Sequence, residues 1–132
     1  MKTVLFVCVK NGGKSQMAAS VMRKVAGDRI KVLSGGTEPG RALNTESVQA
    51  LEARGYSTHG EFPKAIDPQS LENCTAIVVV GKEAQLNAPA GVRIERWDTI
   101  EPSHQGIEGA ERMNLILDDI ESRVNQLAES LI

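Results

Sequence analysis

The sequence predicts an α/β protein built on a parallel sheet that is covered on both faces by helices. Residues 3–8 (TVLFVC) and 75–80 (TAIVVV) are continuous apolar runs, as expected of strands buried on both sides. Segments with helical periodicity separate the strands, and this alternation is typical of parallel sheets. A chain of 132 residues fits a single domain over residues 1–132.

Local signals place the other elements. Gly27 ends an amphipathic helix that starts at Ser15, and Asn44 caps a second helix. The C-terminal helix carries an apolar stripe at helical spacing. The predicted order is strand 3–8, helix 15–27, strand 30–34 ended by two glycines, helix 44–54, short helix 68–73, strand 75–80, a more exposed strand 92–97, a polar loop 98–106, and a helix from about Glu108.

Composition excludes several classes of protein. A formal net charge of -2 gives no electrostatic footprint for nucleic acid or an anionic membrane, and aromatic residues make up only 3% of the chain. The first apolar stretch is too short for a signal peptide, and no run approaches membrane-spanning length, so we expect a cytoplasmic protein. Two cysteines and two histidines without ligand spacing predict neither a disulfide framework nor a metal site.

The turn between the first strand and the first helix, VCVKNGGKS at residues 7–15, carries the strongest functional signal. Its last three residues match the end of a nucleotide-binding P-loop. That motif also needs a glycine at position 8, which allows the loop to turn tightly, and position 8 is Cys8. The nucleotide-binding pattern therefore fails.

Read forward from Cys8, the same stretch describes a nucleophilic thiol beside an anion cradle. Gly12 and Gly13 allow backbone N–H groups to point inward, and the helix starting near Ser15 adds its positive end. Cys8 should therefore be substantially thiolate at neutral pH. A single cysteine after a buried strand is usually inert core, but that reading does not explain the residues that follow it. The predicted oxyanion-binding residues are Val9, Lys10, Asn11, Gly12, Gly13, Lys14 and Ser15.

These residues resemble the signature of the low-molecular-weight protein tyrosine phosphatase and arsenate reductase superfamily. The specific match is VCVKNGGKSQMAA, and SGGTEPG, LNTESVQALEARG, KAIDP and the acidic-Pro loop after Trp97 are supporting matches. The resemblance implies a flavodoxin-like, four-stranded parallel sheet and a covalent intermediate on Cys8. It also implies that Asn11 braces the loop and that Ser15 stabilises the thiolate.

Two positions depart from the family pattern. Lys14 stands where the family usually has arginine, so a point charge replaces a planar fork that binds two oxygens. Glu101 precedes a proline where the family has aspartate, which implies that Glu101 is the general acid, with Asp98 as the nearby alternative. Lys64 resembles a family position near the loop and either supports the Cys8 thiolate or is a solvated lysine.

Residues that other family members have and this chain lacks indicate which branch of the family it resembles most. No aromatic residue follows Pro102 to hold a phosphotyrosine ring, which predicts a small site suited to an inorganic oxyanion. Thioredoxin-linked relatives have two more cysteines where this chain has Gly81 and Ala88, and Cys74 is predicted to be buried and structural. The chain is most similar to the single-cysteine, mycothiol-dependent arsenate reductases of actinobacteria.

That resemblance implies arsenate detoxification without a bound cofactor. Arsenate in the Cys8 loop would condense with mycothiol as co-substrate, and a mycoredoxin, a glutaredoxin-like protein, would release arsenite from the adduct. Glutathione is the less favoured thiol. Two alternatives stay open at this point: a low-molecular-weight protein tyrosine phosphatase with a phospho-cysteine intermediate, and a non-catalytic oxyanion-binding module.

Overall fold

A computed structural model, which describes residues 1–132, contains one four-stranded parallel sheet. Adjacent strands pair in the order β2-β1-β3-β4, and every pair is parallel. This order confirms the predicted α/β fold and its flavodoxin-like winding. The strands are β1 (Lys2–Cys8), β2 (Ile30–Gly36), β3 (Ala76–Val80) and β4 (Arg93–Trp97).

The three α-helices pack against the same face of the sheet. They are α1 (Lys14–Ala26), α2 (Thr45–Ala53) and α3 (Gly109–Leu131). Their apolar sides form one core with Phe6 of β1 and Val78 of β3, and the predicted stripe of α3 is buried in it. Burying this stripe supplies most of the stability of the helix, because isolated helices are marginal in water.

The opposite face of the sheet has a thinner cover. Leu5, Val7, Ile77 and Val79 alternate along β1 and β3 with the residues of the first core, and they pack against Leu71. Leu71 belongs to the 3₁₀ helix Pro68–Asn73, which Asp67 caps. Both faces therefore carry helical segments, but connecting segments complete the cover of the second face.

Two elements differ from their predicted bounds. Strand β2 continues through Gly35 and Gly36, which were predicted to end it. A Cβ on Gly36 would lie 2.6 Å from the Val9 carbonyl oxygen, so glycine lets the loop after β1 approach the strand. Residues Pro102–Gln105, predicted as part of a polar loop, form a 3₁₀ helix capped by the Glu101 side chain.

The topology decides where a ligand meets the fold. The chain leaves β1 towards β2 on one side and later returns to β3 on the other side of β1. A crevice opens where the two connections separate, at the carboxyl end of β1. Residues 9–13 occupy that position.

None of the helices combines the length and the apolar character that crossing a membrane requires.

We expect Gly36→Ala to lower the free energy of unfolding by about 1–3 kcal/mol, because the new methyl group displaces the Val9 carbonyl. Urea denaturation measures the effect. Gly40→Ala is the matched control, since its Cβ would make only an ordinary contact at 3.6 Å with Lys10 Cβ. Equal stability of the two variants would contradict this account of the close approach.

Candidate active site

The loop between β1 and α1 turns its carbonyl groups outward. The carbonyl oxygens of Cys8, Val9, Lys10 and Gly12 accept hydrogen bonds from backbone N–H groups of residues 37–44, at 2.7–3.1 Å. The N–H groups of Val9, Lys10, Gly12 and Gly13 have no acceptor within the protein. Buried or half-buried N–H groups without a partner are rare, and several of them on one turn form a nest for an anion.

The sulfur of Cys8 lies beside this nest and receives two hydrogen-bond donors. The Asn11 backbone N–H donates to Sγ at 3.2 Å, and Ser15 Oγ lies 2.9 Å from Sγ. Ser15 Oγ also accepts a hydrogen bond from the Asn11 side-chain amide at 2.8 Å, which leaves its own proton free to donate to the sulfur.

Asn11 is the internal brace of the loop. It is fully buried and has a φ of 54°, a left-handed conformation that asparagine tolerates better than most residues. Its side-chain oxygen accepts from the Lys64 backbone N–H at 3.1 Å and from Gln16 Nε2 at 3.1 Å. The loop is thereby tied both to α1 and to the segment before the 3₁₀ helix at Pro68.

Gln16 is a site residue that the sequence did not reveal. Its side chain is buried, and Nε2 donates to the Asn11 carbonyl at 3.1 Å and to the Phe62 carbonyl at 3.2 Å, besides its bond to Asn11 Oδ1. The available signal was a long polar side chain among buried positions of α1, which normally requires internal partners.

Lys64 contacts the site through its backbone. Its ammonium group donates to Ser34 Oγ at 3.3 Å and to the Phe62 carbonyl at 3.0 Å, and it makes no hydrogen bond to Cys8. Burial lowers the pKa of this amine, while the carboxylate of Glu61 opposes the shift. The structure thus joins Lys64 to the site through its backbone N–H, which donates to Asn11 Oδ1, and not through its ammonium group.

Two cavities meet the loop. One of about 380 Å³ is lined by Cys8, Val9, Lys10, Lys14 and residues 80–84. A second, of about 710 Å³, is lined by Gly12, Gly13 and Lys14, by residues 38–42 and by the first turns of α2 and α3. Neither is lined by an aromatic residue. Cys8 lines only the smaller cavity, whereas the larger one has room for a drug-sized molecule beside the loop.

Glu101 is engaged in an ion pair, which opposes its predicted role as general acid. Arg112 donates Nε to one carboxylate oxygen at 2.7 Å and Nη2 to the other at 2.6 Å, and Ser103 adds its hydroxyl at 2.7 Å and its N–H at 3.2 Å. The Arg112 bonds, followed by those of Ser103, hold the pKa of this carboxyl well below its usual range. A proton donor must be protonated near neutral pH, and this carboxylate is not.

Asp98 and Cys74 make no hydrogen bond to the loop. Asp98 is exposed and pairs with Lys82 at 3.6 Å. Cys74 is buried before β3, with its thiol bonded to the Ser70 carbonyl, and burial raises its pKa. Since Thr75 pairs with Thr3 at the start of β1, Cys74 lies at the end of the sheet opposite Cys8. No group of three or more His, Cys, Asp or Glu side chains could hold a metal ion.

The family to which the chain belongs agrees with the geometry of the Cys8 loop. The model of the low molecular weight phosphotyrosine protein phosphatase family matches residues 3–132, so the chain belongs to that family. Arsenate reductase 2 of Staphylococcus epidermidis is 30% identical over 77% of this chain and 79% of its own length.

Two solved structures share the fold. The arsenate reductase from Archaeoglobus fulgidus superposes with a TM-score of 0.78 at 28% identity, covering 96% of this chain and 98% of that one. The thioredoxin-dependent arsenate reductase Cg_ArsC1' of Corynebacterium glutamicum superposes with a TM-score of 0.84 at 24% identity. That match covers 99% of this chain, which spans 62% of the Corynebacterium chain.

We expect Asn11→Ala to destabilise the protein by about 2–4 kcal/mol, because two buried donors lose their acceptor and alanine is strained at this φ. Alkylation of Cys8 by iodoacetamide should also slow, since Asn11 no longer orients the Ser15 hydroxyl towards the sulfur. Denaturation and alkylation rates measure both effects.

Asn44→Ala is the control for this prediction. It removes a hydrogen-bonding asparagine that caps α2, at a cost of about 1 kcal/mol, and should leave alkylation unchanged. An Asn11→Ala protein with the stability and alkylation rate of the wild type would contradict the assigned role.

Proposed function

We propose that the protein is an arsenate reductase that acts by thiol transfer. The observation that carries this proposal is the set of unpaired backbone N–H groups on the loop that holds the Cys8 sulfur. A tetrahedral oxyanion suits these donors, and Lys14 adds a positive charge that lines both cavities. The arsenate reductases among its relatives support arsenate as the oxyanion.

In the proposed reaction, the N–H groups of Val9, Lys10, Gly12 and Gly13 hold arsenate beside Cys8 and Ser15 and stabilise the charge on its oxygens. The Cys8 thiol attacks arsenic, and one arsenate oxygen leaves as water with the thiol proton and a proton of arsenate. An external thiol then attacks arsenic, forms the sulfur–arsenic bond of the adduct and displaces Cys8, while arsenic stays in the +5 state. A second thiol then attacks the sulfur of the adduct. The electron pair of the sulfur–arsenic bond reduces arsenic to the +3 state, and the two thiols become a disulfide.

The thiol must come from outside this chain. Cys74, the second cysteine, is buried at the far end of the sheet, and Gly81 and Ala88 stand at the positions of the relay cysteines. We therefore propose mycothiol as co-substrate and a mycoredoxin as the protein that releases arsenite, with glutathione less favoured. The thioredoxin dependence named for the Corynebacterium protein makes reduced thioredoxin the necessary comparison.

The test incubates the protein with arsenate and, separately, mycothiol, glutathione or reduced thioredoxin, and measures adducts by mass spectrometry and arsenite by chromatography. We expect an arseno-thiol adduct with one small thiol, lost in Cys8→Ser because serine is a far poorer nucleophile. Cys74→Ser, which changes the buried thiol, should retain the activity. Absence of any adduct and of arsenite with every reductant would refute the proposal.

A phosphatase is the second candidate function, because the same thiol and N–H groups also suit phosphate and the family model describes phosphotyrosine phosphatases. The lack of an aromatic lining and the engaged Glu101 carboxylate weigh against efficient hydrolysis of phosphotyrosine.

We expect Lys14→Arg to raise kcat/KM for an aryl phosphate by about tenfold or more, because a guanidinium fork binds two phosphate oxygens where an ammonium binds as a point charge. Hydrolysis of p-nitrophenyl phosphate measures it. Lys31→Arg makes the same change at an exposed position of β2 that lines neither cavity, and it should have little effect. A Lys14→Arg variant as inactive as the wild type would show that this lysine does not limit phosphatase activity.

A further inference from the structure

Arg112 lies between Glu101 and the larger cavity. Arg112, in the first turn of α3, lines this cavity together with Gly12, Gly13 and Lys14 of the loop. Glu101 does not line it. A molecule in this cavity can therefore contact Arg112, whose ion-pair partner Glu101 lies outside the lining.

The guanidinium has donors to spare. Glu101 occupies Nε and Nη2, and Nη1 makes no hydrogen bond within the protein. The side chain is only 23% exposed and its charge is balanced by the Glu101 carboxylate, so what it offers an anion is the free Nη1 donor, partly shielded from water. Carboxylates of Glu108 and Glu46 also lie near enough to act on its charge.

We propose that Arg112 is an oxyanion-binding residue of this site and that Glu101 is the positioning residue that orients it. This assignment rests on the proposed function, because the oxyanion concerned is arsenate or its thiol adduct. Lys14 contributes a point charge from the loop, and Arg112 contributes a planar group from the first turn of α3, which lines the same cavity.

The hydrogen bonds of Glu101 fit a positioning role. Two parallel bonds to a carboxylate fix the plane of a guanidinium, and the two bonds from Ser103 fix the carboxylate in turn. A guanidinium held in one plane loses little conformational freedom when it binds a ligand. The same bonds keep the carboxylate ionised, which a group that holds an arginine requires.

The test measures arsenate and sulfate binding by titration calorimetry in the Cys8→Ser protein, in which no covalent chemistry interferes. We expect Arg112→Met to weaken arsenate binding by about tenfold or more. Arg41→Met is the matched control, because Arg41 lines the same cavity but is exposed and makes no side-chain hydrogen bond. It should change binding less than about threefold. Equal losses in the two variants would reduce the effect to general electrostatics and overturn the proposal.

A double-mutant cycle tests the positioning role. We expect Glu101→Gln to weaken arsenate binding in the Cys8→Ser protein but to have little further effect once Arg112 is methionine. With Cys8 present, Glu101→Gln should act on KM for arsenate. A loss confined to kcat, with arsenate binding unchanged, would mark Glu101 as an acid and overturn the assignment.

A folding defect of Arg112→Met can be distinguished from a loss of arsenate binding. If Arg112→Met fails to fold because Glu101 is left unpaired, the double variant Glu101→Gln/Arg112→Met removes both charges and carries the measurement, with circular dichroism as the check. Arsenate binding that depends on Arg112 in a protein that forms no thiol adduct would refute the reductase and leave this assignment standing. Adduct formation by Arg112→Met with an unchanged KM for arsenate would do the reverse.

Discussion

The outward rotation of the loop carbonyls is the constraint on which the site depends. Four carbonyl oxygens between Cys8 and Gly12 are bonded to the backbone of residues 37–44, and the N–H groups of Val9, Lys10, Gly12 and Gly13 have no acceptor in the protein. A loop of this kind is costly in isolation, because unpaired backbone donors lose their hydration without compensation. The loop keeps this conformation because residues 37–44 bond its carbonyl oxygens and because a bound anion can accept hydrogen bonds from its unpaired N–H groups. The hydrogen bonds that shape the loop therefore also give it its preference for an anion.

A buried polar network holds this loop in place from below. Asn11 links Ser15, Gln16 and the Lys64 backbone, and through Ser15 it reaches the Cys8 sulfur. In such a network each group satisfies another, so the loss of one member leaves several without partners. The two glycines of β2 belong to the same device, since a side chain at Gly36 would collide with the Val9 carbonyl. The nucleophile is thus positioned by backbone approach and buried amides as much as by its own side chain.

The charged side chains around the loop differ from those expected of a phosphotyrosine phosphatase. Lys14 is a compact cation on the loop, while the guanidinium at the cavity wall belongs to Arg112 and is clamped by Glu101. The position where a proton donor was expected therefore holds an ionised carboxylate. In the proposed reaction the site supplies a single thiol, so the reduction of arsenic falls to an external reductant.

Apolar runs and helical periodicity predicted the sheet, its strands and the place of the loop, because both are local signals. The same stretch predicted Cys8 as the nucleophile, since it is joined to its glycines, lysine and serine within eight consecutive residues. The contacts of Glu101, Arg112 and Gln16 became visible only in the folded chain, because each depends on a partner that is remote in the chain or on another element. The size of the larger cavity was likewise beyond the sequence, since its walls come from four separate segments that meet only when α2 and α3 pack beside the loop.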